Sequence, residues 1–405
     1  MSKTIWFISK YCMPELKDSV GSRGWLLMKE FANRGNKTVV ITSNSNHLNN
    51  LTNLNLNKIN YSPEGIVFII LNTYKHSIAK SFGRVLSWFN FEWNLFWLDK
   101  RSLPKPDVII ISSLSLLTIL NGFFLKKKYH CKLVFEIRDI WPLTLIEEGG
   151  YKATNPLIIF LSSIERWGYK KSDIIIGTMP KLAKHVHNVL GYPKPVHCIP
   201  MGIDKKMLTR IEKIDQNYIN QYLNPNFFNI IYAGTVGITN ALENFFHSAE
   251  ILKNNPKIRF VIIGDGALKK VYKKKYGYLK NLIFAPKIKK NQVQSALACA
   301  DILYFSVFKS KVWEYGQSLN KIIDYMISKK PILASYSGYP SMINEADCGF
   351  FLPAQDTKAL VKKIEQLFNM TKNDRLAIGT NSLCWLLKNR TYQKLADNYL
   401  KILFG

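Results

Sequence analysis

The sequence predicts an α/β protein built from two Rossmann-like halves. Three observations carry this. Short apolar runs of strand length alternate with helical stretches from Thr4 onward. The pattern closes at Cys198-Ile199-Pro200-Met201-Gly202-Ile203-Asp204 and starts again at Asn229. Two of the restarted strands end in glycine turns, Gly234-Thr235-Val236-Gly237 and Gly264-Asp265-Gly266. Alternation of this kind is what a parallel sheet with crossover helices requires.

The elements follow in order. Thr4-Ile5-Trp6-Phe7-Ile8-Ser9 is a short apolar run that suits a buried first strand. A loop with Pro14 and Gly21 leads into a helix from about Ser22 to Arg34, which Gly35 stops. Thr38-Val39-Val40-Ile41 is the second strand. Residues 44–60 are asparagine-rich, without periodicity, and read as a loop. Val67-Phe68-Ile69-Ile70, Val108-Ile109-Ile110-Ile111 and Lys132-Leu133-Val134-Phe135 are further buried strands. In the second half, Asn229-Ile230-Ile231-Tyr232-Ala233 and Arg259-Phe260-Val261-Ile262-Ile263 are strands. Tyr315 to Met326 reads as a polar loop and a short helix that Ser318 or Asn320 can cap. Pro331 ends it and Ile332-Leu333 begins a strand. Helices close the chain over about 375–404.

With 405 residues and 47% hydrophobic content the chain has room for two ordinary domains. The N-terminal run is too short for a secretory leader, and no stretch reaches the ~20 apolar residues that span a bilayer. Six scattered cysteines with no Cys-x-x-Cys pair suit reduced thiols in a cytoplasmic protein. The formal net charge of +28 attracts polyanions. No helix-turn-helix, RNA-binding aromatic signature or zinc finger accompanies the lysine clusters. An anionic membrane face is therefore favoured over nucleic acid, with lysine-rich composition as the plain alternative.

Several segments could carry chemistry. Glycines at Gly234 and Gly237, with Thr235 between, let a backbone approach a phosphate closely. The loop into the helix at Ser318, Leu319 and Asn320 offers unpaired amides, which suit a phosphate. Lys321 and Asp324 share one face of that helix, where a cation and a carboxylate can hold a diphosphate and a ribose diol. In the first half a strand runs into Glu136-Ile137-Arg138-Asp139-Ile140-Trp141-Pro142. There Asp139 can orient or deprotonate a hydroxyl, or pair with Arg138 to hold the loop. Glu147 and Glu148 are secondary candidates for acceptor contacts. Gly21 and Ser22 leave room for a ligand, and Arg23 can meet a diphosphate or stand exposed at a helix start.

Residues 85–98 are crowded with aromatics, and Lys75, Lys80, Arg84, Lys100 and Arg101 flank them. Trp88, Phe89, Trp93, Phe96 and Trp97 suit a helix lying in a membrane interface, or a core helix, or one face of each. Ser87, Asn90 and Asn94 form its polar stripe. His185 and His187 have poor metal spacing, and there is no Asp-x-Asp, so no metal site is expected.

Ser318-Leu319-Asn320-Lys321-Ile322-Ile323-Asp324-Tyr325-Met326 resembles the donor-site signature S-P-N-K-L-x-(D/E)-Y-M of the retaining family 4 glycosyltransferases, in the bacterial surface-polysaccharide branch. Leu319 stands where that pattern has Pro. Arg138-Asp139-Ile140-Trp141-Pro142 resembles the R-D-x-W-P element of the same branch, and Ile199 to Asp204 its I-P-N-G-x-D element. The resemblance runs over about residues 1 to 400. It implies the GT-B fold, two Rossmann-like domains facing a central cleft. Residues 1–199, joined by a C-terminal helix over about 385–405, would bind the acceptor, and residues 200–384 the nucleotide-sugar donor.

The resemblance implies further roles. Gly264, Asp265 and Gly266 lie near the nucleotide. Pro286, Ile288 and Lys290 belong to the wall around a uracil. Relatives place an Arg and a Lys just after the Gly234 loop, but residues 235–242 hold no cation. Lys321, with Lys290, is the expected substitute. The first of the family's two acids falls on Gly316. The implied reaction is transfer of an N-acetylated hexose or deoxyhexose from a UDP-sugar to a polyprenyl-diphosphate-linked glycan. It would serve O-antigen or capsule synthesis on the cytoplasmic membrane face, without a cofactor or metal. The rivals are a UDP-sugar epimerase of the same architecture and a non-catalytic binder of anionic surfaces.

Overall fold

A computed structural model describes residues 2–15, 21–45, 55–74, 82–113 and 115–405. Most of the expected asparagine-rich loop, and Lys75 and Lys80, lie outside the described residues, as does the side chain of Arg84. The chain divides into two compact units. One comprises Met1–Pro200 with Tyr392–Gly405, the other Met201–Thr391.

The first unit is a sheet of eight described strands. They are β1 (Thr4–Ile8), β2 (Lys37–Ser43), β3 (Ile59–Tyr61), β4 (Val67–Leu71), β5 (Val108–Ser112), β6 (Lys132–Ile137), β7 (Ile174–Gly177) and β8 (Val196–Cys198). Their order is β3-β4-β2-β1-β5-β6-β7-β8. All neighbours pair in parallel except β3, which pairs antiparallel with β4 at the edge. β1 and β5 are buried at every position, as continuous apolar runs covered on both faces should be. On one face the helix Arg23–Asn33 packs with the last helix, Tyr392–Phe404. Phe31 and Tyr399 meet there edge to face, centroids 5.5 Å apart.

The second unit has β9 (Phe228–Ala233), β10 (Ile258–Ile263), β11 (Leu282–Ala285), β12 (Ile302–Ser306), β13 (Ile332–Ser335) and β14 (Gly349–Leu352). The order β11-β10-β9-β12-β13-β14 is that of a Rossmann sheet, all parallel. The helix Lys372–Asn389 stays with this unit. In each unit the strand order reverses beside the first strand of the sheet, between β1 and β5 and between β9 and β12. Loops at the carboxyl ends of these strands are where open α/β sheets bind ligands. Gly234 follows β9 and Arg138 follows β6, next to β5.

Candidate active site

In the second unit the site gathers around Lys321, on the helix Asn320–Ile327. Its ammonium donates to Asn240 Oδ1 at 2.6 Å and Tyr232 Oη at 3.1 Å, and lies 4.7 Å from the Tyr232 ring centre. A Cβ built on Gly234 would lie 3.5 Å from it. Among the described residues no carboxylate pairs with it. Burial pushes the Lys321 pKa down to about 8. The result is an enclosed cation with neutral partners beside a glycine loop.

Sequence reasoning missed Tyr232 and Asn240. Tyr232 is the penultimate residue of β9 and looks like an ordinary buried strand residue, yet its hydroxyl also donates to Thr235 O at 2.6 Å, fixing the loop beside Lys321. Asn240 lies in a short 3-10 turn, Ile238–Asn240. The α-helix begins only at Glu243.

The two glycine turns serve each other. Gly234 N bonds Ile263 O and Val236 N bonds Asp265 O. A Cβ on Gly264 would fall 1.9 Å from Gly234 O. Side chains there would therefore part the two loops. Asp265 turns its Oδ1 to its neighbour's amide, Gly266 N, at 2.8 Å. Gly237 precedes the 3-10 turn, Pro286 O accepts from Tyr218 Oη, and Ile288 packs against the core.

Lys290 and Asp324 do not act apart as expected. Lys290 Nζ lies 2.7 and 2.5 Å from the two Asp324 oxygens. Lys290 is thus the counter-ion of Asp324, and Lys321 is the cation left without one. The expected cap is also corrected. Leu319 occupies the N-cap, with no side-chain hydrogen bond. Ser318 Oγ instead accepts from Met201 N at 2.8 Å, and Asn320 is the first helical residue.

In the first unit the Asp139 carboxylate is held by the turn it helps to form. Oδ2 accepts from Trp141 Nε1 at 3.1 Å and Oδ1 from Thr144 Oγ1 at 3.0 Å. The Trp141–Pro142 bond is cis. Arg138 makes no pair with Asp139. Glu147 ends the short helix Leu143–Glu147.

Arg23 is neither exposed nor open to a ligand. Its side chain is fully buried, with Nη1 2.6 Å from Glu136 Oε2. Nη2 and Nε donate to the carbonyls of Ile199 and Pro200. Glu136 also accepts from Tyr399 Oη at 3.2 Å. The group ties β6, the first helix and the last helix together, so the expected diphosphate contact is corrected to a structural one. Ser22 Oγ accepts from Met13 N, and a Cβ on Gly21 would lie 2.7 Å from the Trp25 indole. Both small residues make room for protein atoms.

The aromatic helix spans Phe82–Trp97. Trp88 is only 6% exposed, donates to Tyr11 Oη and stacks edge-on with Trp141, so it belongs to the core and not to a surface. Ser87 is also buried. Phe89, Trp93, Phe96 and Trp97 are 50–66% exposed, and Phe124 of the neighbouring helix Thr118–Tyr129 adjoins Phe96. Lys100 folds back onto the carbonyls of Leu95, Phe96 and Leu98, so it caps the helix and is no flanking surface charge. Glu92, on the same helix, was missed altogether. It accepts from Ser115, Thr118 and Asn121, and burial raises its pKa to about 7.

No group of three or more His, Cys, Asp or Glu side chains is placed to hold a metal among the described residues. No described helix is long and apolar enough to cross a membrane.

Two family models match the chain, one in each half. Residues 24–206 match Glycosyltransferase Family 4, and residues 228–370 match Glycosyl transferases group 1. With the two Rossmann-like sheets they define a chain of the glycosyltransferase class with GT-B architecture. More particularly, residues 24–206 are similar to a family 4 domain and residues 228–370 to a group 1 domain. The putative glycosyltransferase EpsD of Bacillus subtilis is 21% identical over 248 residues, 58% of this chain and 62% of that protein. The match thus spans about three-fifths of that relative's length. Among solved structures, sucrose-phosphate synthase from Thermosynechococcus elongatus is similar with TM-score 0.69 at 14% identity, over 99% of this chain and 98% of its own. Anabaena HepE in complex with UDP and glucose gives 0.65 at 12% identity, over 99% of both chains. Trehalose 6-phosphate synthase from Burkholderia multivorans gives 0.72 at 11%, over 100% and 98%. At these identities the structural likeness speaks for the fold.

Proposed function

We propose that the protein is a retaining glycosyltransferase that moves a sugar, an N-acetylated hexose or deoxyhexose, from UDP to a polyprenyl-diphosphate-linked glycan. The observation that carries this reading is the enclosed ammonium of Lys321, held by neutral Tyr232 and Asn240 beside the Gly234 loop. A diphosphate would supply the missing negative charge. As the sugar–phosphate bond breaks, charge grows on the leaving UDP, and a cation already in place there lowers the barrier. The HepE complex with UDP supports the choice of uridine.

Asp324, its charge balanced by Lys290, is assigned to the ribose hydroxyls, which must displace or share the Lys290 contact. Asp139 is assigned to orient the acceptor hydroxyl. In a retaining transfer the acceptor attacks the face that the diphosphate leaves, and a diphosphate oxygen takes the acceptor proton. The exposed ridge of Phe89, Trp93, Phe96, Trp97 and Phe124, with Lys127 and Lys128 on the same helix as Phe124, is assigned to an anionic membrane face. On this reading the enzyme works peripherally on the cytoplasmic side, in O-antigen or capsule synthesis.

The test is turnover. Purified protein, a panel of UDP-sugars and lipid-linked acceptor in anionic vesicles should release UDP only when donor and acceptor are both present. Interconversion of the UDP-sugar without acceptor would make the protein an epimerase. Salt-sensitive binding of vesicles or DNA without turnover would make it a non-catalytic binder.

A further inference from the structure

One charge in the first unit is unaccounted for. Arg138 follows β6 directly, at the carboxyl end of the sheet. Its main chain is pinned on two sides: Arg138 N donates to Ser113 Oγ at 3.1 Å, and Arg138 O accepts from Thr178 Oγ1 at 3.5 Å. Its Nε is sealed from solvent and has no hydrogen-bond partner. Among the described residues its guanidinium makes no hydrogen bond and no ion pair.

Its surroundings make this costly. The groups that act on it most are Arg23, Glu136, Tyr392 and Cys12. Arg23 is a second cation. Glu136 is the carboxylate near both, and its Oε2 is occupied by Arg23 and Tyr399. Arg23 therefore takes that carboxylate, and Arg138 has no paired carboxylate among the described residues. Burial first, and Arg23 second, lower the Arg138 pKa, which means that the charged form is disfavoured where it stands. Arginine stays charged regardless, so the deficit is one of negative charge. A guanidinium presents paired donors that match phosphate oxygens.

We infer that Arg138 is the anchor of a second anion subsite, in the first unit, which takes the diphosphate carried by the acceptor. Arg23, expected at a diphosphate, is spent inside the fold, and Arg138 is left for the ligand. This rests on the acceptor half of the function proposed above. The donor's diphosphate is assigned to Lys321 in the other unit, so the two subsites separate in experiment.

The experiment uses the full chain with inorganic pyrophosphate as probe, orthophosphate as comparison, and saturating UDP throughout to occupy the donor site. Binding is read by calorimetry at constant ionic strength. Pyrophosphate should bind with UDP present, and more tightly than orthophosphate. Arg138→Gln should weaken it by about ten- to a hundredfold. Arg138→Lys should keep part of it, and Lys321→Gln should leave it unchanged. The ligand-free Arg138→Gln protein should melt no lower than wild type, because an unneutralised charge has been removed. A purely structural arginine would give a lower melting temperature. Pyrophosphate affinity unaltered in both Arg138 variants, lost in Lys321→Gln, or absent from wild type overturns the inference. Failure of wild type to bind UDP would instead sink the donor assignment, and the pyrophosphate titration without UDP would still judge Arg138.

Discussion

Lys321 Nζ lies 2.6 Å from Asn240 Oδ1, a neutral acceptor, and no described carboxylate balances its charge. A dipole in place of a counter-ion leaves the ammonium held in position but not neutralised. Burial of the ammonium pulls its pKa down to about 8.

The first prediction concerns pH. The unfolded lysine titrates near 10.5 and the folded one near 8. Between those values the unfolded chain holds the proton that the folded chain lacks, so ligand-free stability rises with pH across that window. A diphosphate at Lys321 would prefer the charged form. UDP affinity should be flat from pH 7 to about 8 and then fall by up to about tenfold per unit. Titrations from pH 7 to 9.5 check this, and Lys321→Arg should remove the decline. A flat wild-type profile would separate Lys321 from the diphosphate.

Arg23→Leu should destabilise the protein by about 3–5 kcal/mol, because Glu136 would be left buried and unpaired. Replacing both partners, Arg23→Leu with Glu136→Leu, should recover part of that loss. Urea unfolding of wild type, the two single variants and the double variant measures it. An Arg23→Leu protein of wild-type stability that binds acceptor poorly would restore the diphosphate role to Arg23.

Glu92 gives a second pH signature, of opposite sign. Its folded pKa, near 7, exceeds the ordinary 4.5. The folded chain holds the extra proton between those values, so stability falls as pH rises through that window. Glu92→Gln should be close to wild type at pH 5 and gain stability relative to it at pH 8. Melting curves at the two pH values decide this.

The aromatic ridge predicts membrane binding through side chains that the fold does not use. Trp93→Ser with Trp97→Ser should lower binding to anionic vesicles by about tenfold or more, with little change in melting temperature. Trp88→Ser, which opens the core, should lower the melting temperature instead. Equal vesicle binding by wild type and the double variant would remove the ridge from the membrane.

Much of the fold was legible. Strands such as Val108–Ser112 are unbroken apolar runs, and the restart at Asn229 announces a second sheet. Local pattern identifies such elements because a strand buried on both faces admits only apolar residues. The site was legible in its motifs and less so in its pairings. Lys290 and Asp324 are 34 positions apart, and Arg23 and Glu136 are 113 apart. Charge pairing at that range depends on crossover geometry, which no local pattern records. Arg23, expected at a ligand, is therefore spent on Glu136 inside the fold. Trp88 shows the same limit: it shares a helix with Trp93 and Trp97, and only the position of Trp141 decides that it turns inward.

The central claim, that Lys321 awaits the diphosphate of a uridine nucleotide, is tested most directly by thermal shift. Wild type and Lys321→Gln would be compared with UDP, GDP, ADP, dTDP and CMP at matched ionic strength. The predicted result is a selective rise with UDP in wild type that needs about tenfold or more nucleotide in the variant. No selective rise, or the same rise in both proteins, would contradict it.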